Sequence, residues 1–162
     1  MDNTTIQPSP LIDVLFCRQQ AGHLIIPQMA IAEIIDRAVK ADFEDSPFLV
    51  GKTSWQNESL IVLSSAALLS GTKPIKNSAQ KILVMHKLYT QGTSKFYGIA
   101  IENTPKMLKF GEEAFSNDQN DEREGIVYQT QVDNETAFIL DLEFIEQTVE
   151  NSLSQENALN AT

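Results

Sequence analysis

Short runs of branched and aromatic residues, broken by turn signals every ten residues or so, constrain this chain more than any other feature. Leu11–Cys17 (LIDVLFC), Leu24–Ile26 (LII), Leu60–Ser64 (LIVLS), Lys81–His86 (KILVMH) and Phe96–Ile101 (FYGIAI) all read as strands. Many short strands at that spacing point to barrels or a sandwich, so the chain is mostly β. Its 162 residues favour one domain or two small subdomains packed together. A folded chain of that length buries roughly 68–70% of the surface its unfolded form exposes. The hydrophobic fraction of 42% is ordinary for a globular protein, and Cys17 stands alone, so no intrachain disulfide is available.

The turn chemistry sets the order of elements. Residues 1–10 are polar, hold two prolines and read as a flexible arm. Ala21-Gly22-His23 turns the chain between the first two strands. Pro27 suits the first turn of a helix, where its missing N–H costs nothing. Ile31, Ile34, Ile35 and Ala38 follow at helical spacing, which predicts a short amphipathic helix near 27–38 or a helix-to-strand step. Acidic residues 41–47 end in Ser46-Pro47 and mark a boundary loop. The SAALL segment after Ser64 predicts a turn of helix that Gly71 ends. A second loop spans 71–79 with Pro74, and a turn containing Gly92 joins the strands at 81–86 and 96–101.

The clearest local signal is a last hairpin. Ile126–Val132 (IVYQTQV) and Thr136–Leu140 (TAFIL) flank Asp133-Asn134-Glu135. Asp141 then occupies a helix N-cap position, with Leu142, Ile145 and Val149 as the stripe of a C-terminal helix. Beyond Glu150 the sequence turns polar, and 151–162 read as a flexible tail.

Charge narrows the partners. Residues 1–110 carry 11 Lys/Arg against 9 Asp/Glu, a balance of +2, and residues 111–162 carry 1 against 13, a balance of −12, giving the net −10. An acidic surface repels phosphate backbones, so nucleic acid is not an expected partner. Seven lysines between Lys73 and Lys109 are scattered among apolar strands and read as a solvated face. The N-terminus has no basic or apolar signal-like region, and no apolar run reaches the ~18–20 residues that span a bilayer. The expectation is a soluble cytoplasmic protein with no direct membrane insertion.

The sequence carries no recognisable catalytic or metal-binding pattern. His23 and His86 have no partner at a metal-ligand spacing, so both read as structural and no metal is expected. Cys17 ends an apolar strand, the setting of an inert buried thiol. Ser70-Gly71-Thr72-Lys73 matches an S-x-x-K spacing but lacks its companion motifs and a helix start. The loop 111–124 carries six acids and one arginine. Asp118, Asn120, Glu122 and Glu124 alternate there, but the glycine falls at 125 and no helix pair flanks them, so calcium is not expected. There is no glycine-rich phosphate loop. No catalytic residue and no cofactor follow from the sequence.

Four segments in order resemble the CheW-like domain, the coupling module of bacterial chemosensory arrays. HLIIPQMAIAEII (23–35) resembles Y-G-I-P-x-x-x-V-x-E-I-I, with Pro27, Ile31, Glu33, Ile34 and Ile35 in register. SPFLVG (46–51) resembles A-P-x-x-[LV]-x-G, and LIVLSSAALL (60–69) resembles P-V-I-D-L-x-x-L-L. IVYQTQVDNETAFILDLEFI (126–145) is similar to G-V-A-x-L-D-G-x-L-I-L-L-D-L-x-x-L. Where the family has N-L-R-G, this chain has Ser54-Trp55-Gln56-Asn57. A neutral amide stands in place of a planar, five-donor guanidinium, and Asn57 replaces the turn glycine, tolerating φ > 0 better than most residues.

The resemblance implies two packed five-stranded SH3-like β-barrels within 11–150. One is formed by roughly 11–46 plus 125–150 and the other by roughly 47–124. It implies no active site. It implies instead an adaptor between the regulatory domain of a histidine kinase and the cytoplasmic tip of a methyl-accepting chemoreceptor. Ile31, Glu33 and Ile34 become candidate receptor contacts, and Ser54, Trp55, Gln56 and Asn57 candidate kinase contacts. One of Ile34 and Ile35 must face the core, Ile31 is expected to be exposed, and Glu33 faces outward. Trp55 is either an exposed aromatic anchor or a half-buried barrel residue. An alternative is a divergent module that has lost or changed one partner and acts as a competitor or as an adaptor for another protein. A small hydrolase or transferase with an unrecorded site is the reading from another class.

Overall fold

The structure is a computed structural model that describes residues 11–20, 22–40, 48–71, 79–89, 92, 94–111, 119–120, 124–132 and 134–160. The expected arm at 1–10 and the loops at 41–47 and 72–78 lie outside the described residues, as do most of 112–123.

Eleven strands and two helices are found among them. The strands are β1 (Ile12–Cys17), β2 (His23–Pro27), β3 (Ile31–Ala38), β4 (Leu49–Trp55), β5 (Glu58–Ser64), β6 (Ala79–His86), β7 (Phe96–Ile101), β8 (Lys106–Phe110), β9 (Gln119–Asn120), β10 (Ile126–Val132) and β11 (Glu135–Leu140). Helix α1 (Ser65–Ser70) follows β5, and α2 (Leu142–Asn160) follows β11. Five full strands and the two-residue β9 form one sheet in the order β8-β1-β2-β11-β10-β9. The other sheet has the order β3-β6-β7-β5-β4. The chain is thus mostly β, two curled sheets with a C-terminal helix, as expected.

The edges of the second sheet meet. Lys40 and Lys52 form a bridge in which each N–H donates to the other's carbonyl at 2.8 Å, and Thr53 Oγ1 donates to the Ala38 carbonyl at 3.0 Å. Those bonds join the end of β3 to β4 and close the five strands into a barrel.

Three apolar clusters explain why the strands are so uniformly hydrophobic. Val14, Phe16, Ile25, Phe110 and Ala137 pack within the first sheet's curl. Ile35, Val50, Trp55, Leu60, Val62, Ile82, Val84 and Ala100 fill the second barrel. Alternate residues of the same strands, such as Leu15, Cys17, Leu24, Ile61, Leu63, Leu83, Met85 and Ile99, meet between the sheets together with Ile145 and Val149 of α2. A strand with both faces buried loses the period-two alternation and reads as a continuous apolar run.

Local signals place the short elements. The hydroxyl of Ser64 accepts the Ala67 N–H at 3.2 Å and caps α1. Gly71 ends the helix at φ 70, with its N–H on the Ala67 carbonyl at 3.0 Å. Asp141 Oδ1 accepts the Phe144 N–H at 3.1 Å, the expected N-cap of α2. The last hairpin pairs Val132 with Glu135 around Asn134, whose φ is 66.

Two expectations are corrected, and of the two readings near 27–38 the helix-to-strand step holds: a 3₁₀ turn at Gln28–Ala30, then β3. The helix-like spacing comes from a bulge: Ile31 pairs with Met85 and Glu33 with Val84, leaving Ala32 as the extra residue. The bulge puts Ile31 and Ile34 on one face and Glu33 and Ile35 on the other. The flexible tail at 151–162 is helical as far as Asn160. Ser152 Oγ donates to the Thr148 carbonyl at 2.9 Å, and Leu153 packs on the core between the sheets. Sheet membership also differs from the expected division into 11–46 plus 125–150 and 47–124. Strand β3 belongs to the second sheet, and β8 returns to the first by pairing with β1.

Candidate functional site

The two segments singled out in the sequence meet at one end of the second barrel. Strand β3 begins there, β4 ends there, and antiparallel pairing brings His86 of β6 beside Phe96 of β7 at the same end. Trp55 is 7% exposed, inside the barrel mouth, so of the two readings of this residue the buried one holds. Its ring lies edge-on to Phe96 with centroids 4.8 Å apart, and Phe96 in turn lies 5.3 Å from His86. The indole Nε1–H donates to Glu33 Oε2 at 2.6 Å.

That bond fixes Glu33. Its residue is exposed at the rim, but its carboxylate is held on the barrel side of β3 and satisfies the one polar atom of a buried indole. Ile35, next on that face, is the member of the Ile34–Ile35 pair that enters the core. Ile34 points the other way and is 41% exposed. Ile31 shares Ile34's face but is half-buried against the core between the sheets, so the expected exposure falls on Ile34 instead.

The turn beside Trp55 is a two-residue hairpin, with Trp55 paired to Glu58. Gln56 and Asn57 have φ of 48 and 64, the positive pair that a type I′ turn requires. Both side chains are exposed, as is Ser54. The turn therefore offers neutral amides and a hydroxyl to solvent, over an aromatic base that does not reach it.

The remaining candidates take structural places. His23 Nδ1 accepts the Gln19 N–H at 3.1 Å, and its Nε2 lies 3.5 Å from Glu135. Cys17 is fully buried, and burial pushes its thiol up to about 12, which withholds the reactive thiolate. No group of three or more metal-binding side chains occurs among the described residues. No helix among them is long and apolar enough to cross a membrane.

Two polar arrangements escaped the sequence reading. Buried Gln19 places Oε1 2.7 Å from Ser65 Oγ and accepts the Glu102 N–H at 3.2 Å, tying the β1–β2 turn to α1 and the end of β7. The second lies under α2. Glu146 is fully buried and accepts the N–H groups of Leu88 and, at 2.7 Å, Tyr89. Lys87 pairs with Glu150 one turn further on. Desolvation holds the Lys87 ammonium below its usual pKa while the Glu146 charge pulls it back up. Burial raises the Tyr97 hydroxyl, with the charge of Glu146 and the nearby Tyr89 adding to it. The signal for Glu146 is its phase: it sits beside Ile145, four residues after Leu142 and three before Val149, on the buried stripe.

No curated protein matches the chain. Among solved structures it is similar to the scaffolding protein TtCheW from Thermoanaerobacter tengcongensis. That match covers 90% of this chain and 92% of the other, with a TM-score of 0.64 and 11% identity, a likeness of fold. The CheW-like domain model matches residues 13–150, from the start of β1 to the middle of α2. With that match running through both sheets and the helix that packs between them, the chain belongs to the CheW-like domain family.

Proposed function

We propose that this protein is a non-enzymatic, cytoplasmic signal-transduction adaptor that couples a chemoreceptor to a histidine kinase in a bacterial chemosensory pathway. Family membership supports the class of function. The Trp55–Glu33 hydrogen bond carries the assignment of surface, because it locks the receptor-directed and kinase-directed segments to the same barrel end. In this reading Ile34, with Ile31 beneath it, presents the apolar contact to the cytoplasmic tip of a methyl-accepting receptor. Ser54, Gln56 and Asn57 face the regulatory domain of the kinase. Glu33 and Trp55 are positioning residues that hold the β3 rim and the turn at a fixed separation. Specific complexes of this kind use modest interfaces in which a few central residues dominate.

A second reading has support in the turn itself. Gln56 replaces the arginine of the family pattern, and the buried Trp55 offers no compensating anchor. A module altered in this way retains one partner and serves as a competitor or as an adaptor for another protein.

Binding of the purified protein to the kinase regulatory domain and to a receptor-tip fragment from the same genome separates these readings. The coupling role predicts micromolar affinity for both, with Ile34→Asp weakening only the receptor and Gln56→Glu only the kinase. Receptor binding without kinase binding favours the second reading. Failure of the folded protein to bind either one overturns the adaptor assignment.

A further inference from the structure

A groove of about 300 Å³ opens where the first sheet meets the start of α2. Pro27, Tyr128 and Leu142 form its apolar walls, and Tyr89 closes it from the loop after β6. Tyr89 is 61% and Tyr128 40% exposed, an unusual display for two aromatic side chains beside one cavity. The wall from the second sheet is not loose. The N–H groups of Leu88 and Tyr89 are both bound by the buried Glu146 carboxylate, so Tyr89 is presented by a fixed backbone. An aromatic wall ordered before binding lowers the entropy lost on docking.

The charged side chains lining the groove are Asp141 and Glu143, both acidic. Asp141 spends one oxygen on the α2 cap, whereas Glu143 is exposed in the first turn. A second copy of this chain, at net −10, would bring like charge to that rim. We propose that the groove docks a segment of a protein partner that carries an apolar side chain next to lysine or arginine. The apolar side chain enters between Tyr89 and Tyr128, and the cation meets Glu143. The groove's lining shares no residue with Ile31, Glu33, Ile34 or 54–57, so the proposal stands whether or not the assignment of those residues does.

Two acetylated, amidated pentapeptides test it: Leu-Leu-Arg-Leu-Arg and its counterpart with glutamate for arginine, titrated into the full-length protein and followed by NMR. The Arg peptide is expected to shift the resonances of Tyr89, Tyr128 and Leu142 and to bind about three- to fivefold more tightly than the Glu peptide at low salt. Glu143→Lys, an exposed change, is expected to reverse that preference. Tyr128→Ala is expected to abolish binding, while the amide spectrum of the second barrel stays unchanged. Equal binding of the two peptides, binding elsewhere, or none by the folded protein overturns the proposal. So does a dimer in sedimentation velocity that Tyr128→Asp dissociates, since the groove would then be filled by a second copy.

Discussion

Trp55 and Glu33, 22 residues apart, are joined by a 2.6 Å hydrogen bond at the mouth of the second barrel. The donor is a buried indole and the acceptor a carboxylate at the rim. A hydrogen bond to a charged group contributes about 1.5–3 kcal/mol, and partial exposure lowers that here. A double-mutant cycle of Trp55→Phe and Glu33→Ala is expected to give a coupling of about 1–2 kcal/mol by urea unfolding. Trp55→Ala also empties space in the barrel core and is expected to cost about 3–5 kcal/mol. Additivity of the two single changes would mean the contact holds nothing in place.

The Gln56-Asn57 turn stores conformational cost that can be released. A type I′ turn favours Asn at its first central position and Gly at its second, whereas this chain has Gln at φ 48 and Asn at φ 64. Asn57→Gly is expected to stabilise the protein by about 0.5–1 kcal/mol, and Gln56→Pro, whose ring fixes φ near −65°, to destabilise it by more than that. Thermal unfolding reads both. A destabilising Asn57→Gly would show that the amide makes contacts worth more than the strain it bears.

How far the sequence showed all this depends on whether a residue's partner lies along the chain or across it. Strands β1, β2, β5, β6 and β7 were legible because both faces are buried, which leaves continuous apolar runs. The Gly71 and Asp141 caps were legible because capping is local chemistry. Strand β3 was hidden by its own bulge, which spaces Ile31, Ile34 and Ile35 as a helix would. In β4 the second half, Lys-Thr-Ser, is polar and partly solvated, and in edge strand β8 lysines flank the apolar residues, so neither run stood out. Ile34 and the turn residues were found as candidates by resemblance. Their meeting at one barrel end was not, because closure of a barrel leaves no mark within either segment. Glu146 was missed for a related reason: its partners are backbone N–H groups 57 and 58 residues away.

Glu146 carries the next expectation. Removing the carboxylate leaves two N–H groups unpaired and takes away one of the charges that stabilise the Lys87 ammonium, which keeps Glu150. Glu146→Ala is expected to cost about 3–5 kcal/mol, and Glu146→Gln, which keeps an acceptor oxygen, about half of that. Amide exchange at Leu88 and Tyr89 is the specific readout. Both amides should lose protection in Glu146→Gln while Leu83 and Ile99 in the barrel strands keep theirs. Unchanged exchange at 88 and 89 would refute the clamp.

Cys17 gives the alkaline limb of the stability curve. Its thiol rises from 9.0 to about 12 on burial. Above pH 9 the unfolded chain releases a proton that the folded chain keeps. The stabilisation is therefore complete below 9 and is lost as pH climbs toward about 12. One unit corresponds to about 1.4 kcal/mol, so roughly that much is gone by pH 10. The raised Tyr97 hydroxyl acts in the same direction at higher pH. The lowered Lys87 ammonium acts oppositely, since the unfolded chain holds more protons between the depressed value and 10.5. Comparing wild type with Cys17→Ala isolates the thiol, because the other two groups are common to both. The substitution shrinks the core and lowers stability by a constant amount at pH 7 and 8. The wild-type advantage is then expected to narrow by about 1.4 kcal/mol between pH 8 and pH 10. A gap that stays constant over that range would show that the thiol ionises as freely in the fold as in the unfolded chain.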